Sequence, residues 1–187
     1  MADLFAVLSA DHQRIFELSN QLTGGAGIAS GAPKERKRLA TELVIEESRH
    51  EVLEEQWLWP QVRARLSGGD ALALAGLSQE QGAKRLLNEL EHMSPGNDEF
   101  ASVIDRIASA VRDHITFEES QVLPKLRLAL DDEQAERIGE NLARSRRLAP
   151  TRPHPHTPPA EVAIKTVGMA VAVVDRARDA LTGRGRS

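Results

Sequence analysis

The chain has 187 residues, 41% of them apolar and 28% charged, with a net charge of -4. That is enough apolar material for one folded domain and a tail, and too much for a disordered chain, while the negative charge gives no electrostatic reason to expect a nucleic-acid partner. The sequence contains no cysteine, which excludes disulfides, thiolate-bound zinc, iron–sulfur clusters and a cysteine nucleophile; any metal site must use imidazole and carboxylate.

Aromatic residues make up only 3%, with no tyrosine, while Leu, Ala, Glu and Arg dominate. Straight-chain residues lose little side-chain freedom in a helix, so this mixture favours helices over strands. The N-terminus is acidic and lacks the basic start and apolar core of a signal peptide. No stretch is long and apolar enough to cross a bilayer, so a cytoplasmic location is expected.

The first predicted helix runs from Leu4 to Leu22, with Leu4, Leu8, His12, Ile15 and Leu22 at helical spacing. Thr23-Gly24-Gly25 ends it, and a loop follows as far as Pro33. The second helix is expected from Lys34 to Leu66, closing at Ser67-Gly68-Gly69. The third covers Ser78 to Met93 and stops at Ser94-Pro95-Gly96-Asn97. The fourth runs from Asp98 to Leu128 with Pro124 near its end, and a shorter helix follows from Asp132 to Arg146. No alternating strand pattern occurs. Long helices joined by short glycine-bearing loops predict an all-α, antiparallel up-down four-helix bundle with one extra short helix.

Three segments are expected: a bundle over 1–148, a proline-rich linker over 149–160 and a tail over 161–187. Val162 to Leu181 reads as an amphipathic helix with Ile164, Val167, Val171 and Val174 on one face. It is expected to dock on the bundle, with a membrane surface or a partner as the alternative. His154 and His156 in the linker are read as solvated rather than as metal ligands.

The second and fourth helices share a phrase. His50-Glu51-Val52-Leu53-Glu54-Glu55 is followed by Pro60; His114-Ile115-Thr116-Phe117-Glu118-Glu119 is followed by Pro124. Each shared element recurs 64 positions on. A Glu four residues after a His lies one helical turn away on the same face. A single such pair is usually a surface contact, but both copies here fall on apolar stripes. Two pairs projecting inward from facing helices make a pocket of nitrogen and oxygen donors, in which carboxylates bridge two cations and imidazoles cap them. His12 lies on the apolar face of its own helix, between Leu8 and Ile15. Glu46, one turn before His50, is a candidate to orient that imidazole.

These residues resemble the haemerythrin-like, HHE cation-binding family. Its pattern is a His on the first helix, His-x-x-x-Glu on the second, a His on the third and His-x-x-x-Glu on the fourth. Asp11-His12, His50 to Pro60, Lys84-Arg85-Leu86-Leu87 and His114 to Pro124 carry the likeness, over Leu4 to Arg146. The resemblance implies two non-haem iron ions, oxo- or hydroxo-bridged, with manganese or zinc able to take the same donors. It also implies a small ligand such as oxygen, nitric oxide or peroxide.

The third helix departs from that pattern. His92 is its only histidine, yet an antiparallel helix must supply a ligand at the level of residue 12, in the neighbourhood of Glu80 to Gly82. At about 1.5 Å per residue His92 lies roughly 18 Å away and reads as a helix C-terminal residue. The resemblance points to the same place, where Gln79-Glu80-Gln81 stands. The expected metal ligands are therefore His12, His50, Glu54, Glu80, His114 and Glu118, with Gln81 or water as alternatives to Glu80. A di-iron binding protein, a di-iron enzyme with catalase-like or ferroxidase activity, and a metal-free helical interaction module are the functions to be distinguished.

Overall fold

The computed structural model describes residues 2–24 and 33–155, together with Asp175, Arg178 and Asp179. Among the described residues there is no strand. The chain runs through α1 (Leu4–Thr23), α2 (Pro33–Trp57), α3 (Trp59–Arg65), α4 (Gly69–Glu91), α5 (Phe100–Phe117), a π-helical turn (Glu118–Val122), α6 (Leu123–Ala129) and α7 (Asp132–Arg146). Helix α1 packs on α2, α5 and α7, and α4 closes the bundle against α2, α3 and α5.

Caps fix the outer ends. Asp3 caps α1 by accepting from the backbone N–H of Ala6 at 2.7 Å. Asp131 and Gln134 form a reciprocal capping box at the start of α7, the helix expected there.

Two expected helices are interrupted, in both cases just before a proline. Pro60 and Pro124 have no N–H to donate and crowd the carbonyl four residues back, so a continuous α-helix cannot pass through them. The second helix breaks at Leu58 and restarts as α3 with Pro60 in its first turn. The fourth widens into the π turn at Glu118–Val122 and restarts as α6 with Pro124 in its first turn.

The third helix begins nine residues earlier than expected, at Gly69 instead of Ser78. Gly68 adopts φ 72°, a left-handed conformation that glycine takes without penalty. The turn is thereby completed in so few residues that Asp70 already occupies the first turn of α4.

The linker is not simply solvated over its described part. Ala149 and Thr151 are buried, Arg152 pairs with Glu91 of α4, and Gln81 donates to the carbonyl of Pro155 at 2.7 Å. His154 Nε2 lies 3.0 Å from Oδ2 of the buried Asp175, which corrects the solvated reading of this histidine. His156 and most of the expected Val162–Leu181 helix lie outside the described residues; Asp175, Arg178 and Asp179 are helical. No described helix is long and apolar enough to cross a membrane.

Apolar packing divides into two clusters. One gathers Leu4, Leu8, Leu53, Trp59, Val62, Val122 and Leu126; the other gathers Ile15, Leu18, Leu43, Leu87, Ile104 and Val111. Each long helix passes from one cluster to the other, and the residues at the crossing are His12, His50, Glu80 and His114.

Trp59 is the largest fully buried side chain of the first cluster, and its ring lies over Gly76 of α4 so closely that a Cβ there would collide with Cζ2 and Cη2. Gly76→Ala is expected to destabilise the fold by roughly 1–3 kcal/mol through overpacking. Gly82→Ala, in the same helix with open space around its Cβ position, is expected to stabilise by about 0.5–1 kcal/mol. Thermal melts of the two variants should shift in opposite directions; a shared direction would refute this account of Gly76.

Candidate metal centre

The layer between the apolar clusters is ionisable. His12, His50, Glu54, Glu80, His114 and Glu118 are all buried there. His12 Nε2 lies 3.1 Å from Glu118 Oε2 and 3.9 Å from Glu54 Oε1. His50 Nε2 lies 3.2 Å from Glu54 Oε1. His114 Nε2 lies 3.3 Å from Glu54 Oε2 and 3.6 Å from Glu118 Oε1. Each of these two glutamates therefore turns one oxygen toward the His12–His50 side and the other toward His114. Either glutamate could thus contribute an oxygen to a cation held on either side of it.

All three imidazoles present Nε2 inward, and their Nδ1 atoms face acceptors outside the cluster. Nδ1 of His12 lies 3.1 Å from Glu119 Oε1, and Nδ1 of His114 lies 2.9 Å from Gln79 Oε1. Nδ1 of His50 faces Asp11 Oδ2 at 4.0 Å. Such outer partners fix which nitrogen is free to bind a metal. Glu46, expected from the sequence to orient His50, instead pairs with Arg146 of α7. Arg146 also holds Asp11 through two contacts of 2.5 Å, so Asp11 takes the place beside His50.

Glu80 is where the sequence placed the third-helix donor, and it is one of the group formed with Glu54 and His114. Its Oε1 accepts from the indole N–H of Trp59, a residue that sequence reasoning passed over. Its Oε2 lies 3.8 Å from the ammonium of Lys84, which pairs with Glu55. Gln81 is turned away to the linker, so it does not share the cluster, and His92 caps α4 with its Nδ1 donating to the Asn88 carbonyl at 2.7 Å. Glu47 and Glu51 are further buried carboxylates on α2 beside the cluster. Nothing local in the sequence separated them from the exposed glutamates of that helix.

The donor set fits a cation. His50 Nε2, Glu54 Oε1, Glu80 Oε2 and Glu118 Oε1 are buried and have no hydrogen-bond partner. Orphaned buried donors are costly unless something fills the space between them. Protons are another source of compensation. Burial, with the Glu54 charge beside it, pushes Glu118 up to about 7, and burial raises Glu54 and Glu80 as well. Burial opposes a charge on His12, but its hydrogen bonds to the Glu118 and Glu54 carboxylates outweigh this and raise the imidazole to about 11. Burial and the His12 charge press His50 well below its ordinary range.

Comparison with known proteins identifies relatives of the whole bundle. The family model described as hemerythrin HHE cation binding domain matches residues 3–126. A hemerythrin-like protein of Schizosaccharomyces pombe is 26% identical over 143 residues, 76% of this chain and 70% of that protein. A DNA nickase of a Nostoc species is 29% identical over 130 residues, which cover 70% of this chain but only 35% of the nickase. The crystal structure of a hemerythrin HHE cation-binding domain-containing protein from Mycobacterium kansasii superposes with a TM-score of 0.67 over 94% of this chain and 99% of that one, at 19% identity. At that identity the likeness speaks for the fold alone.

The proton inventory sets a pH dependence. Glu118 moves from an ordinary 4.5 to about 7 on folding without metal, so the metal-free fold holds more protons than the unfolded chain in that window and loses stability as pH rises through it. His12 acts in the same sense: its contribution is complete below its ordinary 6.5 and is lost as pH rises through about 11. A bound cation replaces those protons. The melting-temperature gap between metal-loaded and chelated protein should widen from about pH 5 to about pH 8. A gap that stays constant or narrows would contradict it.

Proposed function

We propose, because the chain belongs to the hemerythrin HHE cation-binding family, that it is a non-haem di-iron protein which reacts with or senses oxygen, nitric oxide, peroxide or iron itself. The observation that carries this reading is the pair of fully buried glutamates, Glu54 and Glu118, each with one oxygen toward His12 and His50 and one toward His114. Imidazole donors suit ferrous iron and zinc, while carboxylates suit harder ions; a mixed set accommodates iron in both oxidation states, and manganese or zinc can compete for it. When bound, such a pair supplies a redox-active metal with an open position for a small ligand.

The chain's own residues do the rest. Glu54 and Glu118 would hold the metal together with the three imidazoles, while Glu119 and Gln79 orient the rings of His12 and His114. Leu8, Leu53 and Val122 on one side, and Ile15, Leu43 and Val111 on the other, keep bulk water from the donors. Trp59 shields the His114 side, with its ring centroid 6.4 Å from that imidazole.

A second reading, a di-iron enzyme that decomposes peroxide or oxidises ferrous iron, is favoured over reversible oxygen carriage by Glu80. A carboxylate in place of an imidazole stabilises the oxidised metal, and Glu47 and Glu51 add buried acidic charge beside it.

Protein purified in air is expected to hold about two irons per chain and to show near-ultraviolet oxo-bridge absorption. His50→Ala and His114→Ala should each lower iron content sharply and reduce thermal stability, since a metal bound only by the folded state stabilises it. His92→Ala should change neither. Full iron loading in both of the first two variants would sink the assignment. Rapid oxygen release on adding peroxide, or turnover of added ferrous iron, would decide for the enzyme, and the absence of both for the carrier or sensor.

A further inference from the structure

Helix α7 lies beyond residue 126, where the family match ends, yet it is built into the bundle. Ala135, Ile138 and Leu142 are buried, and Gly139 meets the backbone of Ala2, Asp3 and Leu4 so closely that a Cβ would collide. At its far end Ser145 accepts from the indole N–H of Trp57 at 3.2 Å. The helix is thereby fixed along its length, and its last residue, Arg146, reaches residues of both α1 and α2. One guanidinium nitrogen donates to both oxygens of Asp11 at 2.5 Å, and another donates to Glu46. Asp11 directly precedes His12, and Glu46 stands one turn before His50. A planar guanidinium can hold two carboxylates at once in fixed directions, which an ammonium does not do.

The held carboxylate faces a nitrogen it does not yet bond. Asp11 Oδ2 lies 4.0 Å from Nδ1 of His50, about 1 Å beyond an ordinary N–H···O hydrogen bond. That nitrogen is buried and has no hydrogen-bond partner among the described residues. A neutral imidazole offers a lone pair on one ring nitrogen and a proton on the other. A cation bound at Nε2 therefore obliges Nδ1 to carry the proton, and a buried N–H left without an acceptor is costly. Asp11 is the acceptor that faces it.

Resting on the metal reading above, we propose that Arg146 is a positioning residue for the metal centre, holding Asp11 where its carboxylate accepts the His50 Nδ1 proton once a cation occupies Nε2. Arg146 acts through Asp11 and not on a ligand directly. Helix α7 thus contributes to cation retention as well as to the fold, and a change at its C-terminal end is felt at His50.

The test is zinc binding by chelated, full-length protein, measured by competition with a chromophoric chelator, beside the thermal melt of the metal-free protein. Arg146→Gln and Asp11→Asn should each weaken zinc binding by about tenfold or more, as loss of a ligand's outer partner does. Because the two residues act in series, the double variant should fall within about twofold of the weaker single variant. Arg146→Lys, which keeps the charge but not the fork, should recover part of the loss. Arg144→Gln, at an exposed neighbour paired with Glu140 on the same helix, should leave zinc affinity within about twofold. In proton–nitrogen spectra of the zinc-loaded wild type, His50 should keep a slowly exchanging Nδ1 proton, and Asp11→Asn should speed that exchange. An Arg146→Gln protein with a lowered melt but unchanged zinc affinity would make Arg146 a staple of the fold alone and overturn the proposal, leaving the metal reading intact. If that variant does not fold, Asp11→Asn and Arg146→Lys decide by the same criterion. Failure of wild type to bind zinc would overturn both readings.

Discussion

The bundle is organised by a layer of ionisable side chains set where helix packing would ordinarily place leucine. His12, His50, His114, Glu54, Glu80 and Glu118 occupy the crossing between two apolar clusters, so the fold carries a charged slab through its core. Desolvating each ion costs several kcal/mol, and the mutual attraction of imidazole and carboxylate offsets that only in part. A bound cation would satisfy the inward oxygens and nitrogens together, where protons satisfy them only in part, and folding would then be linked to metal binding.

The repeated phrase serves this constraint twice. In each copy the helix yields ahead of a proline, just past Glu54 in the first and from Glu118 itself in the second. The two copies yield differently. After Glu54 the chain breaks at Leu58 and starts a new helix, whereas from Glu118 it widens into a π turn before restarting. Helix interruptions of this kind often accompany functional sites, because they let a side chain leave the α-helical register.

Much of this was legible from residue spacing. The His-x-x-x-Glu duplicate, His12 on its apolar stripe and the displacement of the third-helix position from His92 to Glu80 all follow from helical periodicity, which the sequence carries directly. What spacing does not carry is the choice of partner across the bundle. Trp59 reaches Glu80, Arg146 reaches Asp11, and Lys84 serves Glu55, through contacts between helices whose relative rotation no local pattern encodes. Glu46 illustrates the limit: it sits one turn from His50 as the period requires, yet it pairs with Arg146 across the bundle. The early start of α4 was missed for another reason. Gly68-Gly69 reads as a loop, but a single left-handed glycine completes the turn and releases the rest to the helix.

The outward nitrogens of the three imidazoles carry a last consequence. His12 leans on the carboxylate of Glu119 and His50 faces that of Asp11, whereas His114 donates to the neutral amide of Gln79. An anionic acceptor at Nδ1 lends imidazolate character to the ring and makes its inward nitrogen the stronger base; an amide lends little. The inward nitrogen of His12 is thereby a stronger base than that of His114, and this difference is built into the scaffold before any cation arrives.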